Sequence, residues 1–301
     1  MGICRGSGPG HAGETHAFLV ATLSVDLAYT RYSDIGVALL QETATGAINA
    51  QFIAVPCSGT PTVEALTTWL DTTARANDVR CLLIDGPLGW KSPTSSELYS
   101  RHSERALRTP GKTGLPPDGV KPTPYLGFTC FSIALFEMLT ARGWVLPTAE
   151  DVAHGIAREN SRVISETFPT AAWRRLGLAP LSGKKRGRDQ RVEVAEALRR
   201  LQERVDLRVD RTPNHDEIQA LVAGVAGVWW ERGASARVKW HGEPPFRLDG
   251  AWREGYIITP EQPRLLDAIL HDPPADASSI LDSQRGLSRR RSVRAAPHVI
   301  T

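Results

Sequence analysis

The segment Phe18-Leu-Val-Ala-Thr-Leu-Ser-Val-Asp26 decides how this chain reads. A mostly apolar run ends on one carboxylate, the pattern of a buried strand that carries an acid to its C-terminal edge. Two more apolar segments follow closely, Ile35 to Gln41 and Ile48 to Val55, separated by short polar turns such as Thr43-Ala-Thr-Gly46. Three such runs predict an antiparallel meander. Thr60 followed by Pro61 predicts a helix start, with Val63, Leu66 and Leu70 on one face. The opening pattern then returns twice, in Cys81-Leu-Leu-Ile-Asp85 and in Arg162-Val-Ile-Ser-Glu166. In an open α/β sheet the carboxyl ends of the strands form the edge where ligands bind, so these acids point to a shared cation site.

Beyond Asp85, Gly86-Pro-Leu-Gly89 breaks the strand, and the polar stretch from Glu97 to Arg108 predicts a helix. A Pro/Gly-rich loop from Thr109 to Gly127 is long enough to form a lid. Phe128, Phe131, Leu135, Met138 and Leu139 recur at helical spacing, and a strand is expected from Val163 to Thr167. Val194, Leu198, Leu201 and Val205 mark another helix, and a last one runs from Asp216 to Trp230. Residues 236–260 predict a small strand pair. The resulting class is α/β: a mixed sheet of an antiparallel three-strand meander plus parallel strands, with helices on both faces, in the order of ribonuclease H. The domain is expected over residues 17–270 with inserted helices and loops. It lies between a flexible leader, 1–16, and a disordered Arg-rich tail, 271–301.

At 301 residues and 41% apolar content the chain can bury a substantial core. No apolar run near 18 to 20 residues is evident and the N-terminus lacks a secretion signal, which predicts a cytoplasmic protein without a membrane partner. Cys4, Cys57, Cys81 and Cys130 are far apart, with no Cys-x-x-Cys, so neither a zinc ribbon nor a redox dithiol is indicated. Arg285, Arg289, Arg290, Arg291 and Arg294 make the last eighteen residues basic, so the formal charge of +3 overlies a slightly acidic body.

Six landmarks in order carry a family resemblance: Ser24-Val-Asp26, Leu83-Ile-Asp-Gly-Pro-Leu-Gly89, Arg101-His-Ser-Glu-Arg-Ala-Leu-Arg108, Glu166-Thr-Phe-Pro169, His215-Asp-Glu-Ile-Gln-Ala-Leu221 and Glu254-Gly-Tyr-Ile-Ile-Thr-Pro260. With them the chain resembles the predicted nucleases described as domain of unknown function 429, of ribonuclease H-like fold. The resemblance implies a metal-dependent nuclease that hydrolyses phosphodiesters with two Mg2+ or Mn2+ ions. It casts Asp26, Asp85, Glu166 and Asp216 as catalytic and metal-binding residues, with His215 a further ligand. One departure stands out: the late helix of that family looks like Asp-Asp-x-x-Asp-Ala-Leu, whereas His215 and Gln219 here replace the first and third acids. Neutral ligands supply less charge for magnesium than carboxylates do.

Nucleic acid is the expected partner. Arg101, Arg105 and Arg108 fall at i, i+4 and i+7, one face of a helix, where they would grip phosphates or simply be solvated. Lys184, Lys185, Arg186 and Arg188 form a second basic cluster suited to a nucleic-acid backbone. Two other functions share this core: a catalytically degenerate nucleic-acid or protein-binding module, and an ATP-dependent phosphotransferase of the sugar kinase and actin group. The second needs glycine-rich phosphate loops, yet no glycine follows Asp26 until Gly36.

Overall fold

The computed structural model describes residues 20–115, 119–154, 161–184 and 189–262. The described residues up to Glu261 form one compact unit. The expected leader and tail both lie outside the described residues.

The predicted meander is present as β1 (Ala21–Asp26), β2 (Gly36–Glu42) and β3 (Ile48–Phe52), each antiparallel to the next. α1 (Val63–Ala76) follows, then β4 (Cys81–Asp85), which pairs parallel to β1. Thr62, not Thr60, caps α1: its side chain accepts from the Ala65 amide at 3.3 Å. Pro61 therefore precedes the cap instead of opening the helix.

A short helix, α2 (His102–Leu107), replaces the longer one expected from Glu97 to Arg108. Ser92 and Ser95 hydroxyls take the amides of Thr94 and Glu97, so local side-chain bonds compete with helix upstream. α3 (Leu126–Ala141), the short α4 (Ala149–His154) and β5 (Val163–Thr167), parallel to β4, come next. With the 3-10 turn before it, α3 belongs to a 19-residue helical segment of mean hydropathy 1.3, long and apolar enough by composition to cross a bilayer. That differs from the sequence expectation. Leu135, Phe136 and Leu139 of α3 nevertheless sit in the same core as Leu66 and Leu70 of α1.

α5 (Pro169–Arg175), α6 (Arg191–Gln202), β6 (Leu207–Val209) and α7 (His215–Glu231) complete the second half, followed by β7 (Val238–Leu248) and β8 (Ala251–Pro260). Val205, expected within α6, lies just beyond it but stays buried. The sheet order is β6-β3-β2-β1-β4-β5-β8-β7. The strand pair expected at 236–260 is thus no separate unit: β8 pairs parallel to β5 through Glu166↔Ile257 and Thr167↔Ile258 and widens the sheet to eight strands. Ile257 and Ile258 are both fully buried, so this strand is covered on both faces.

Alternation along β1 separates two cores. Leu23 and Val25 pack with α1 and α3, while α5, α6 and α7 cover the opposite face against Ala38 and Leu40 of β2. α7 is apolar nearly all round, as a helix buried over the middle of a sheet must be. Glycine permits the close approach: a Cβ on Gly224 would stand 2.5 Å from Leu40 Cδ1 and 2.9 Å from Ser24 Cβ.

Candidate active site

Register brings the first two acids together. Asp26 and Asp85 are Cα partners at the carboxyl ends of adjacent central strands, and their side chains hydrogen-bond one another. Burial pushes both carboxyls well above the ordinary Asp range, with repulsion from Asp85 and Asp216 adding to the rise at Asp26 and Glu166 adding to that at Asp85. Two carboxyl groups in hydrogen-bond contact share a proton when no cation lies between them.

Asp216 arrives from the helix layer. Gly36, the antiparallel partner of Asp26, is the seat for the start of α7: a Cβ there would lie 2.2 Å from the Asp216 carbonyl. Asn214 caps the helix, accepting from the amides of Asp216 at 2.9 Å and Glu217 at 3.0 Å, while Glu217 reaches back to the Asn214 amide at 2.8 Å. Asp216 is thereby fixed in the first turn, close enough to Asp26 to raise its pKa. Lys184 makes an ion pair with the Asp216 carboxylate, and its charge partly offsets the rise at Asp26. His215 contributes at the margin, its Nδ1 3.2 Å from Asp216 Oδ1 and its Nε2 3.2 Å from the Ser182 carbonyl oxygen. Gln219 is remote from this cluster in role: its Oε1 accepts from Trp173 Nε1 at 2.7 Å and ties α7 to α5.

Glu166 is differently placed. It sits one residue before the register position of Asp85, and both its oxygens accept from the Arg101 guanidinium at 2.8 Å. Leu88 donates its amide to the same carboxylate at 3.3 Å. Burial drives the Glu166 pKa up, and Arg101 offsets part of that rise. Arg101 is fully buried; desolvation opposes its charge, but Glu166 and Glu104 outweigh that cost and raise its pKa. Glu104, three residues on, accepts from Arg101 Nε at 3.2 Å and from the Thr113 amide at 3.2 Å.

The cationic stripe expected from Arg101, Arg105 and Arg108 therefore does not form. Arg101 ends the extended approach to α2 and turns inward, whereas Arg105 lies on the surface and pairs with Glu97. Arg108, the C-cap with φ 54°, shares with Arg105 and Lys112 a shallow basic concavity. Of the second basic cluster, Lys184 faces Asp216; Lys185, Arg186 and Arg188 lie outside the described residues. Sequence reading assigned no site role to Glu104, Lys112 or Tyr125. The signal for Glu104 was its spacing of three after Arg101, the reach-back position of a helix start.

Asp26, Asp85 and Asp216 offer an all-oxygen donor set, the chemistry that suits Mg2+ or Mn2+. As the side chains stand, no group of three or more His, Cys, Asp or Glu among the described residues is arranged to hold an ion. The acids are compensated internally, by a shared proton at Asp26 and Asp85 and by Lys184 at Asp216. The donor types fit; occupation requires displacing that proton and that ammonium.

A central sheet ordered β3-β2-β1-β4-β5, antiparallel and then parallel, with acids at the carboxyl ends of β1 and β4, defines a ribonuclease H-like protein. The model of the family described as Protein of unknown function (DUF429) matches residues 34–242, and the chain belongs to that family. Among solved structures it is similar to one titled "Thermus thermophilus RuvC structure", at 9% identity and a TM-score of 0.38, over 75% of this chain and 99% of that one. No curated protein matches it.

Proposed function

We propose that this protein hydrolyses phosphodiester bonds in nucleic acid with the help of divalent metal ions. The observation that carries this reading is the Asp26–Asp85 pair, in register at the carboxyl edge, with Asp216 delivered beside it by α7. Acids crowded so that Asp85 and Asp216 both oppose the charge on Asp26 have no structural purpose that neutral residues would not serve better. Asp26, flanked by Asp85 and Asp216, would be the acid shared between two Mg2+ or Mn2+ ions, with Asp85 and Asp216 each completing one set of donors. Bound there, the ions supply Lewis acidity and a water of lowered pKa. Glu166, oriented by Arg101, holds negative charge beside Asp85 and accepts from the attacking water. That water adds to phosphorus, the bond to the 3′-oxygen breaks, and the departing oxygen takes up a proton, leaving a 3′-hydroxyl and a 5′-phosphate.

The test is a cleavage screen over short single- and double-stranded DNA and RNA with magnesium or manganese, run beside Asp26→Asn. Metal-dependent cleavage by the parent and none by the variant is the expected result. Equal cleavage by both removes Asp26 from the chemistry.

A second reading has its own observation. Two of the four acids already have internal cations, Arg101 at Glu166 and Lys184 at Asp216, as in a binding module that has lost its metal. Metal titration separates the two: a working site gains thermal stability with manganese, a degenerate one does not.

A further inference from the structure

A cavity of about 520 Å³ opens beside Asp85 and Glu166, within the size range of small-molecule sites. Its floor is the turn Asp85-Gly86-Pro87, and its walls carry four aromatic rings, Tyr29, Tyr125, Phe128 and Phe168. Tyr29 and Phe128 face each other at 6.2 Å between centroids, tilted by 56°. Tyr125, at the start of α3, is exposed and lies over Gly111, where a Cβ would meet its ring at 3.4 Å. Hydrolysis at a carboxylate cluster uses none of these rings.

The rim is basic where Lys112 stands, and the adjoining concavity adds Arg108 and an Arg105 paired with Glu97. Thr109 and Lys112 line both this cavity and the shallow concavity that holds Arg105 and Arg108. Lys112 is itself partly buried, which lowers its pKa, and its ammonium is held by the Thr109 carbonyl. An acidic edge, an aromatic chamber and a basic concavity thus adjoin one another. A nucleotide has matching parts: a flat base, a phosphate and a scissile linkage. Aromatic faces bind unstacked bases with little regard to sequence, and enzymes that work on nucleic acid draw single bases out of the stack into such chambers.

We infer that the cavity walled by Tyr29, Tyr125, Phe128 and Phe168 receives one unstacked nucleobase of the substrate strand, while Arg105, Arg108 and Lys112 hold the adjoining phosphates. The substrate class is then single-stranded or locally unpaired nucleic acid. This inference rests on the proposed nuclease function. Glu104 links the two sites physically, since the same carboxylate holds the Thr113 amide of the cavity wall and the Arg101 that orients Glu166.

The test uses the full chain in the Asp26→Asn background, where hydrolysis is removed. Anisotropy is measured with a labelled oligothymidylate, with a strand of equal length whose bases are replaced by tetrahydrofuran spacers, and with a blunt duplex. The oligothymidylate is expected to bind about thirtyfold more tightly than the spacer strand, mid-range for one stacked base. Tyr125→Ala should erase that difference and Tyr125→Phe should keep it. Equal affinity for the two strands, a difference that survives Tyr125→Ala, or preference for the duplex overturns the assignment. Thymidine monophosphate binding better than the strand does so too, by assigning the chamber to free nucleotides. Metal-dependent cleavage by the parent enzyme alongside any of these failures leaves the nuclease reading standing. Neither binding nor cleavage of any strand ends both.

Discussion

Removing the Arg101 guanidinium tests the most buried element of the site. Arg101→Met keeps most of the apolar stem and deletes five donors, leaving Glu166 with only the Leu88 amide and Glu104 without its Nε partner. Breaking a buried pair from one side strands the other charge and costs about 3–5 kcal/mol. In a domain of this size each kcal/mol lowers Tm by roughly 2–4 °C, so a fall of about 6–20 °C is expected in a thermal melt. The double variant Arg101→Met/Glu166→Gln should recover a sizeable part of the loss, because an amide is far cheaper to bury than an uncompensated carboxylate. Recovery will be incomplete, since Glu104 remains short of a partner. A single variant within about 1 kcal/mol of the parent, or a double variant whose losses simply add, would refute the view that Arg101 and Glu166 stabilise each other.

Asp26→Asn should raise Tm in chelator above neutral pH, where the Asp26–Asp85 pair must give up its shared proton, because an amide cannot ionise beside Asp85 and Asp216, and should abolish the gain in Tm on adding manganese; a drop in chelator there would contradict the crowding of charge inferred here. Gly36→Ala places a methyl 2.2 Å from the Asp216 carbonyl and must push α7 off β2. A loss of at least ~1–3 kcal/mol is expected in urea unfolding, and with it the manganese response; unchanged stability would mean that α7 does not sit where described. His241, buried beside Arg175 and Lys239 and bonded to Thr259 at 3.0 Å, has its pKa lowered from 6.5 to about 4, with burial the main cause. The unfolded chain therefore binds the extra proton first, and stability is lost as pH falls from about 6.5 through 4, by up to ~3 kcal/mol. His241→Gln should flatten unfolding curves across that window, and an unaltered slope would remove His241 as the cause.

The strand-end acids were legible because a strand's alternation and its polar terminus are local properties. Asp26 and Asp85 needed only their own apolar runs, and the parallel register did the rest. Asp216 was legible as a helix-start acid, but its nearness to Asp26 depends on Gly36, a glycine 180 residues away whose sequence context says nothing of a helix seat. Arg101 was read with the wrong neighbours. Spacing of four and seven relates side chains only if the helix runs through all of them, and α2 begins after Arg101. The replacement at Gln219 looked like damage to a metal site, yet the amide bonds Trp173 of α5 and belongs to packing. The eight-stranded width was hidden because β8 joins β5 through only two register pairs, a long-range choice that no local pattern encodes.

Lys184 gives the cluster a tethered counterion. A carboxylate pocket that must wait for a divalent ion to fold is hostage to metal supply, and its apo form is prone to open. Here the chain carries a placeholder of its own, so under the proposed function the acids would assemble before any ion is loaded. The same ammonium is present at high effective concentration and would compete with an ion entering the proposed site. In the proposed nuclease, affinity for metal would thereby be traded for an architecture that stands ready before the ion arrives.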